Sequence, residues 1–264
     1  MSIVVTADDL GLSSGVTRGI LEAHRTGIAR CTSLLVTFPS GEEAATLGRA
    51  EPDLEIGLHL DLVGGWPVSD PTEIPSLCDE NGRFYPLATF TRRLLTGRIR
   101  ASAIATEIRA QVARARAWGT PALAWDSHRH THLMPPVAGV VGRLARELGA
   151  RWIRRAHAPR LRRAIRPVAL HAASLAAELA YRGIPGGSWY IDLTSHRPRF
   201  DAAGVALLAA YGGLGELSAH PGHVDDDLRQ RDALTHERED DLALLTDPLV
   251  RTALGHDAVL WRVR

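Results

Sequence analysis

The sequence predicts an α/β fold: a (β/α) barrel-like domain of parallel strands with outer helices, distorted or incompletely closed. About eight short apolar runs alternate with segments of helical periodicity along all 264 residues, the pattern of a parallel sheet covered by helices. Polar residues suited to chemistry stand where these runs end, while the run interiors read as apolar, and barrel strands bring such ends to one face. No glycine fingerprint for a dinucleotide follows the first run, which argues against a Rossmann domain.

In chain order, Ile3, Val4 and Val5 mark a β-branched first strand over residues 2–7, with Asp8 and Asp9 at its end. Ser13 and Ser14 cap a helix that carries Val16, Ile20, Leu21 and His24 and stops at Gly27. Residues 31–37 form the second strand, a short helix capped by Ser40 runs to Arg49, and residues 54–60 form the third strand with His59 near its end. The spacing of Ile104, Ile108, Val112 and Ala115 predicts helix within 87–118. A strand over 121–125 leads to Asp126, and Pro135-Pro136 open a helix to Leu148. Strands at 151–154, 188–193, 215–220 and 258–261 follow, separated by helices at about 160–182, 201–211, 233–246 and 248–254.

Residues 61–85 interrupt this alternation. Gly64-Gly65-Trp66-Pro67, Pro71, Pro75 and Asn81-Gly82 are turn chemistry, and so long a loop in a compact domain is usually a lid or binding loop. It reads as an insertion over the active-site face of one domain spanning residues 1–264. Trp66 and Tyr85 offer flat surfaces to a sugar ring, and loop packing explains each equally well.

Composition excludes several functions. A formal net charge of +1 leaves no electrostatic footprint for nucleic acid or an anionic membrane. Every basic side chain is Arg, so no lysine Schiff base is available. Cys31 and Cys78 form no metal or disulfide pattern and point to a reducing compartment. With no secretory segment at the start and no apolar run of ~18 residues, a soluble cytoplasmic protein is expected. Arg154-Arg155 and Arg160-Leu161-Arg162-Arg163 read as a solvated helix face, available as a contact in a homodimer.

The chemistry concentrates at Trp125-Asp126-Ser127-His128-Arg129-His130-Thr131-His132. In an extended chain the three histidines would share one side. One such histidine alone is best read as an ordinary loop residue; three behind a buried strand and beside an aspartate point to a metal site. The other strand ends supply Asp8 and Asp9, His59, Arg154 and His220. One Asp with two His suits Zn, Co, Ni or Mn, and Mg less well. Such a divalent ion polarises a carbonyl and activates water, a second carboxylate can serve as base, and a histidine can protonate the departing amine. Taken alone, Asp8-Asp9 is better explained as a strand-to-helix loop in which an acid favours the helix N-terminus.

These residues also carry a family resemblance. Thr6-Ala7-Asp8-Asp9-Leu10-Gly11-Leu12-Ser13, Gly57-Leu58-His59-Leu60, the block from Asp126 to His132, and Glu216-Leu217-Ser218-Ala219-His220-Pro221-Gly222-His223 resemble the signature blocks of the YdjC-like carbohydrate deacetylases, a group that includes chitooligosaccharide deacetylases. Arg238-Glu239-Asp240-Asp241-Leu242 resembles the family's C-terminal helix. Thr6 and Leu10 stand where the family has Asn and Phe, and His223 where Tyr is common, changes that bear on substrate identity. The resemblance implies metal-dependent removal of acetyl from an N-acetylated sugar or small glycan. It implies Asp9, His59 and His128 as metal ligands, Asp8 as general base and His220 as general acid. Arg154 stands where an arginine steadies the base, with Arg151 and Arg155 as competitors, and is placed with His130 and Trp66 among the substrate contacts. His130 and His132 fit a structural role equally well. The alternatives are a metal-dependent hydrolase of another bond, such as a phosphoester, and a non-catalytic sugar-binding protein on the same scaffold.

Overall fold

The computed structural model describes residues 2–156, 177–196 and 199–261. Among these, eight parallel strands curl into an open half-barrel: β1 (Ser2–Leu10), β2 (Cys31–Leu34), β3 (Glu55–Leu60), β4 (Ala124–Ser127), β5 (Trp152–Ile153), β6 (Trp189–Asp192), β7 (Leu214–Ala219) and β8 (Ala258–Val259). Seven of them run in the order β5-β4-β3-β2-β1-β7-β6, β8 pairs with β1 off this path, and no ladder among the described residues joins β5 to β6. The expected barrel is therefore present and open at that seam.

β1 organises the sheet. β7 pairs along Ser2–Ala7, while the opposite edge is shared by β8 at Ile3 and Val4 and by β2 from Thr6 onward. Just beyond β8, Trp261 is buried with Val4, Cys31, Ala124 and Trp152. Gly57 lies against it; a Cβ there would stand 2.9 Å from the Trp261 ring. The larger core lies between strands and helices, around Ile3, Val5, Val16, Ile20, Ile108, Val141 and Leu144.

Helices among the described residues include α1 (Ser14–Arg25), α2 (Gly41–Arg49), α3 (Leu87–Leu95), α4 (Ala101–Ala117), α5 (Pro135–Leu148), α6 (Ala202–Ala206), α7 (Asp226–Arg231), α8 (His236–Thr246) and α9 (Pro248–Leu254). The Ser13 hydroxyl accepts the Val16 N–H, and Gly149 ends α5 in a left-handed conformation, as such signals require. The helical stretch expected within 87–118 is divided into two helices, because the chain turns after Thr96 at Gly97, whose φ is +70°. β4 begins later than expected, since Pro121 has no N–H to give a ladder and Ala122 has φ 51°. α7 escaped the apolar pattern because Asp225 caps it and Leu228 is its one buried residue. The helix expected at 160–182 lies mostly outside the described residues, as does the Arg160–Arg163 run.

Residues 61–85 are anchored to the body. Leu62, Val63, Ile74, Leu77 and Phe84 are buried, and α4 presents two polar side chains to the loop. Glu107 accepts the backbone N–H groups of Val68 and Ser69, each at 2.9 Å, and Gln111 bonds both backbone groups of Asp61. Replacing Glu107 by Ala strands two part-buried donors, so urea unfolding of Glu107→Ala should show a loss of about 2–4 kcal/mol. Amide exchange at Val68 and Ser69 should accelerate with it. A change within about 0.5 kcal/mol would show that the loop is held by its apolar side chains alone.

Candidate active site

At the end of β1 two adjacent carboxylates must face different partners, and the backbone arranges this with a register shift between Ala7 and Leu10 and a φ of 72° at Asp9. A bulged strand end of this kind re-aims side chains at the cost of local strain. Asp9 Oδ1 lies 3.2 Å from His59 Nε2 and 3.0 Å from His128 Nδ1, and its Oδ2 accepts from Arg238 at 2.7 Å. Burial opposes the Asp9 charge, but Arg238 and His128 hold its carboxyl well below the ordinary range. β3 and β4 pair His59 directly with Asp126, and the Asp126 carboxylate holds His59 Nδ1 at 2.8 Å. That contact turns Nε2 toward Asp9, the arrangement by which an outer carboxylate orients a metal-binding imidazole.

Ligand atoms of Asp9, His59 and His128 lie within 4.8 Å of one another and could hold a metal ion. Despite burial, Asp126 and Asp9 raise His59 to about 10. A second grouping of Asp8, His59 and Asp126 is equally close, but its two carboxylates already share a guanidinium. The chemistry of the donors therefore favours the first group.

That guanidinium belongs to Arg154, which leaves β5 to cross the barrel interior. Its Nη atoms hold both Asp8 oxygens at 2.7 and 2.8 Å, one also lies 2.8 Å from Asp126 Oδ2, and Nε lies 2.8 Å from Glu216 Oε1. Burial works against the Arg154 charge, yet Asp126, Asp8 and Glu216 push its pKa well above the usual value. Arg154 has no exposed surface, so it grips Asp8 instead of substrate and belongs to no solvated face. Arg155 is also buried, bonded to the Tyr181 and Ile184 carbonyls, while Arg151 is exposed. Of the three arginines, Arg154 is the one at the site. The strand interiors are correspondingly not all apolar: Thr6, Ser33 and Glu216 are buried on β1, β2 and β7.

The three histidines after β4 do not share a side. Residues His128–Leu133 form a 3-10 turn, with Arg129 and His130 at φ of 56° and 54°. His128 faces Asp9, while His130 Nε2 stands 3.5 Å from the Tyr190 hydroxyl and 3.8 Å from Asp192. His132 is fully buried, bonded to Ser127 Oγ at 2.6 Å and the Arg154 carbonyl at 3.2 Å, a structural role. Across the cavity His220 leaves β7 with Nε2 at 3.9 Å from Asp8 Oδ2. Asp8, Asp9, His59, His128, His130, Asp192 and His220 line one cavity. No residue of 61–85 lines it: Trp66 is exposed, set edge-on to Phe38 at 6.0 Å with Arg83 above its ring at 4.4 Å.

This chain matches the YdjC-like protein family model over residues 2–256. The chain belongs to that family. A carbohydrate deacetylase of Geobacillus stearothermophilus is 33% identical over 260 residues, covering 97% of this chain and 94% of the relative. Carbohydrate deacetylases of Halalkalibacterium halodurans and Vibrio cholerae are 28% and 29% identical, over 98% and 97% of this chain and 100% and 93% of theirs. A solved structure from Enterococcus faecalis V583, described as a candidate cellobiose-phosphate cleavage protein, is similar at a TM-score of 0.82 and 25% identity, covering 98% of this chain and 95% of that one.

In this YdjC-like chain the contacts that sequence reasoning did not supply are those that hold Asp9 in place. Arg238 on α8 joins Asp9 to Asp232, each through Nη2, and Asp232 also accepts from Arg129 at 2.6 Å. A buried Arg and Asp one turn apart on α8, beside Leu242 and Leu245, was the available signal. Replacing Arg154 by Met leaves three buried carboxylates without their cation, so Arg154→Met should lose about 3–5 kcal/mol in denaturant unfolding or fail to fold. A stable, fully folded variant would remove Arg154 from its central place. Asp232 gives a pH test: burial raises its carboxyl, but Arg238 and Arg129 prevail and lower it. A depressed folded value stabilises above the unfolded value near ~4 and loses that contribution as pH falls through the folded one. Asp232→Asn should therefore cost about 1–2 kcal/mol at pH ~7 and progressively less below pH ~4; a pH-independent difference contradicts the pairing.

Proposed function

We propose that this protein is a metal-dependent amide hydrolase that removes the acetyl group from an N-acetylated sugar or small glycan. The observation that carries this reading is the convergence of Asp9, His59 and His128 on one point of a cavity that also presents Asp8 and His220. The relatives named carbohydrate deacetylases support the sugar as substrate.

Asp9, His59 and His128 would hold one divalent ion (Zn, Co, Ni or Mn, with Mg a poorer match to imidazole), which supplies polarisation of the acetyl carbonyl and activation of water. Asp8, fixed through both oxygens by Arg154, accepts the proton of the attacking water. His220 Nε2 gives a proton to the departing amine, 3.9 Å from Asp8 across the cavity. His130 lines the cavity and serves as a substrate contact. Trp66, outside that lining, would meet only a sugar unit beyond the one being deacetylated.

A second reading, hydrolysis of a phosphoester, draws on the likeness to the Enterococcus faecalis protein described as a candidate cellobiose-phosphate cleavage protein. It ranks lower because the cavity lining includes Asp8, Asp9, Asp192 and Asp232, which repel a phosphate, and Arg129 is already paired with Asp232. A non-catalytic sugar-binding protein has no use for a base and an acid facing each other beside a ligand cluster. Among the described residues no helix is long and apolar enough to cross a membrane, and Cys31 and Cys78 are free and buried. A cytoplasmic location and a homodimer are part of the proposal, although the buried Arg154 and Arg155 contribute no dimer surface.

The test is acetate release from N-acetylglucosamine oligomers and a panel of N-acetylated glycans with added divalent ion, with phosphate release from phosphoesters assayed in parallel. Chelation should abolish turnover and metal should restore it. Asp8→Asn should lower kcat by about 10²–10⁴-fold, while Asp9→Ala should lose metal in a direct titration. No acetate from any member of the panel sinks the substrate claim, and phosphate without acetate selects the second reading.

A further inference from the structure

The face of α8 that sends Arg238 to Asp9 also carries Asp241, fully buried one turn later. Asp241 Oδ2 accepts the His220 backbone N–H at 2.9 Å and also the Thr194 hydroxyl, and its Oδ1 accepts from Arg199 at 2.7 Å. Thr194 Oγ1 in turn lies 2.7 Å from His220 Nδ1. A hydroxyl has one proton to give. With that proton on the Asp241 carboxylate, Thr194 accepts from His220, and Nδ1 carries a hydrogen.

We propose that Thr194 and Asp241 are positioning residues that fix His220 as its Nδ1–H form, leaving Nε2 as the only ring nitrogen that exchanges a proton with substrate. This rests on the reading of His220 as proton donor to the leaving amine. The charged groups facing the ring are Asp8 near Nε2, Asp192 Oδ1 at 3.9 Å from Nδ1, and the Asp241–Arg199 pair behind Thr194. In the cleavage step the C–N bond breaks and its electron pair stays on nitrogen. The Nε2 proton of the imidazolium passes to that nitrogen, leaving a neutral ring with hydrogen on Nδ1. The acetyl carbon keeps the water oxygen, and the water proton held by Asp8 returns to Nε2. Burial raises the Asp241 carboxyl against the pull of its donors. The rival arrangement is therefore a protonated Asp241 that donates to Thr194, which then donates to Nδ1.

Nitrogen-15 spectra of the imidazoles in the full-length protein at alkaline pH, assigned with His220→Gln, separate the two. The expected result is hydrogen on Nδ1 of His220 in the wild type and its transfer to Nε2 in Thr194→Val. In the acetate assay Thr194→Val should lower kcat by about 10–100-fold with KM within about threefold, and Thr194→Ser should recover to within about threefold of wild type. Hydrogen on Nε2 in the wild type, or an unchanged kcat in Thr194→Val, overturns the proposal. A wild type with hydrogen on Nδ1 that releases no acetate supports the arrangement and refutes the deacetylase reading instead.

Discussion

Three carboxylates from three strands share one guanidinium inside the barrel: Asp8 of β1, Asp126 of β4 and Glu216 of β7 all meet Arg154. Charges this deeply buried persist only when paired, and the pairing fixes their geometry. Asp126 then has one oxygen left for His59, whose other nitrogen is aimed at Asp9. The orientation of His59 toward Asp9 is thus inherited from a salt bridge to which neither Asp9 nor His128 contributes. The open seam between β5 and β6 is consistent with this, because Arg154 crosses the interior immediately after the last strand on one side.

A second support comes from outside the barrel. α8 places Arg238 on Asp9 and Asp241 beside His220, so one helical turn sets both the Asp9 carboxylate and the histidine opposite. Left-handed backbone at Asp9, Arg129 and His130 sits within the same site. Non-glycine residues occupy that region at a cost of order 1–3 kcal/mol each, sustained here by the surrounding ion pairs. Local propensity and tertiary demand disagree at these three positions, and at Arg129 and His130 this is why residues 128–132 read as extended and fold as a tight turn.

Much of the fold was legible because the governing signals are local. Strand runs, the Ser13 cap and Pro135 at a helix start act within a few residues. The misreadings at Gly97 and Ala122 arose where one residue with positive φ redirects a segment of otherwise regular pattern. Of the site, Asp8, Asp9, His59, His128 and His220 could be picked out from strand ends and family blocks. Asp232 and Thr194 could not, and the family block that holds Arg238 and Asp241 gave no role for either, since each of the four acts on a residue far from it in the chain or through another side chain.

What the sequence alone determined is the alternation of strands and helices and the identity of the polar groups at the strand ends, because periodicity and residue chemistry are properties of short stretches. What only the tertiary structure decided is which groups are buried, which share a cation and which face open space. Arg154 shows the difference: on the page it is one of three neighbouring arginines, in space it is the buried partner of three carboxylates. Electrostatic roles depend on distance and burial, and neither is a property of the chain until it has folded.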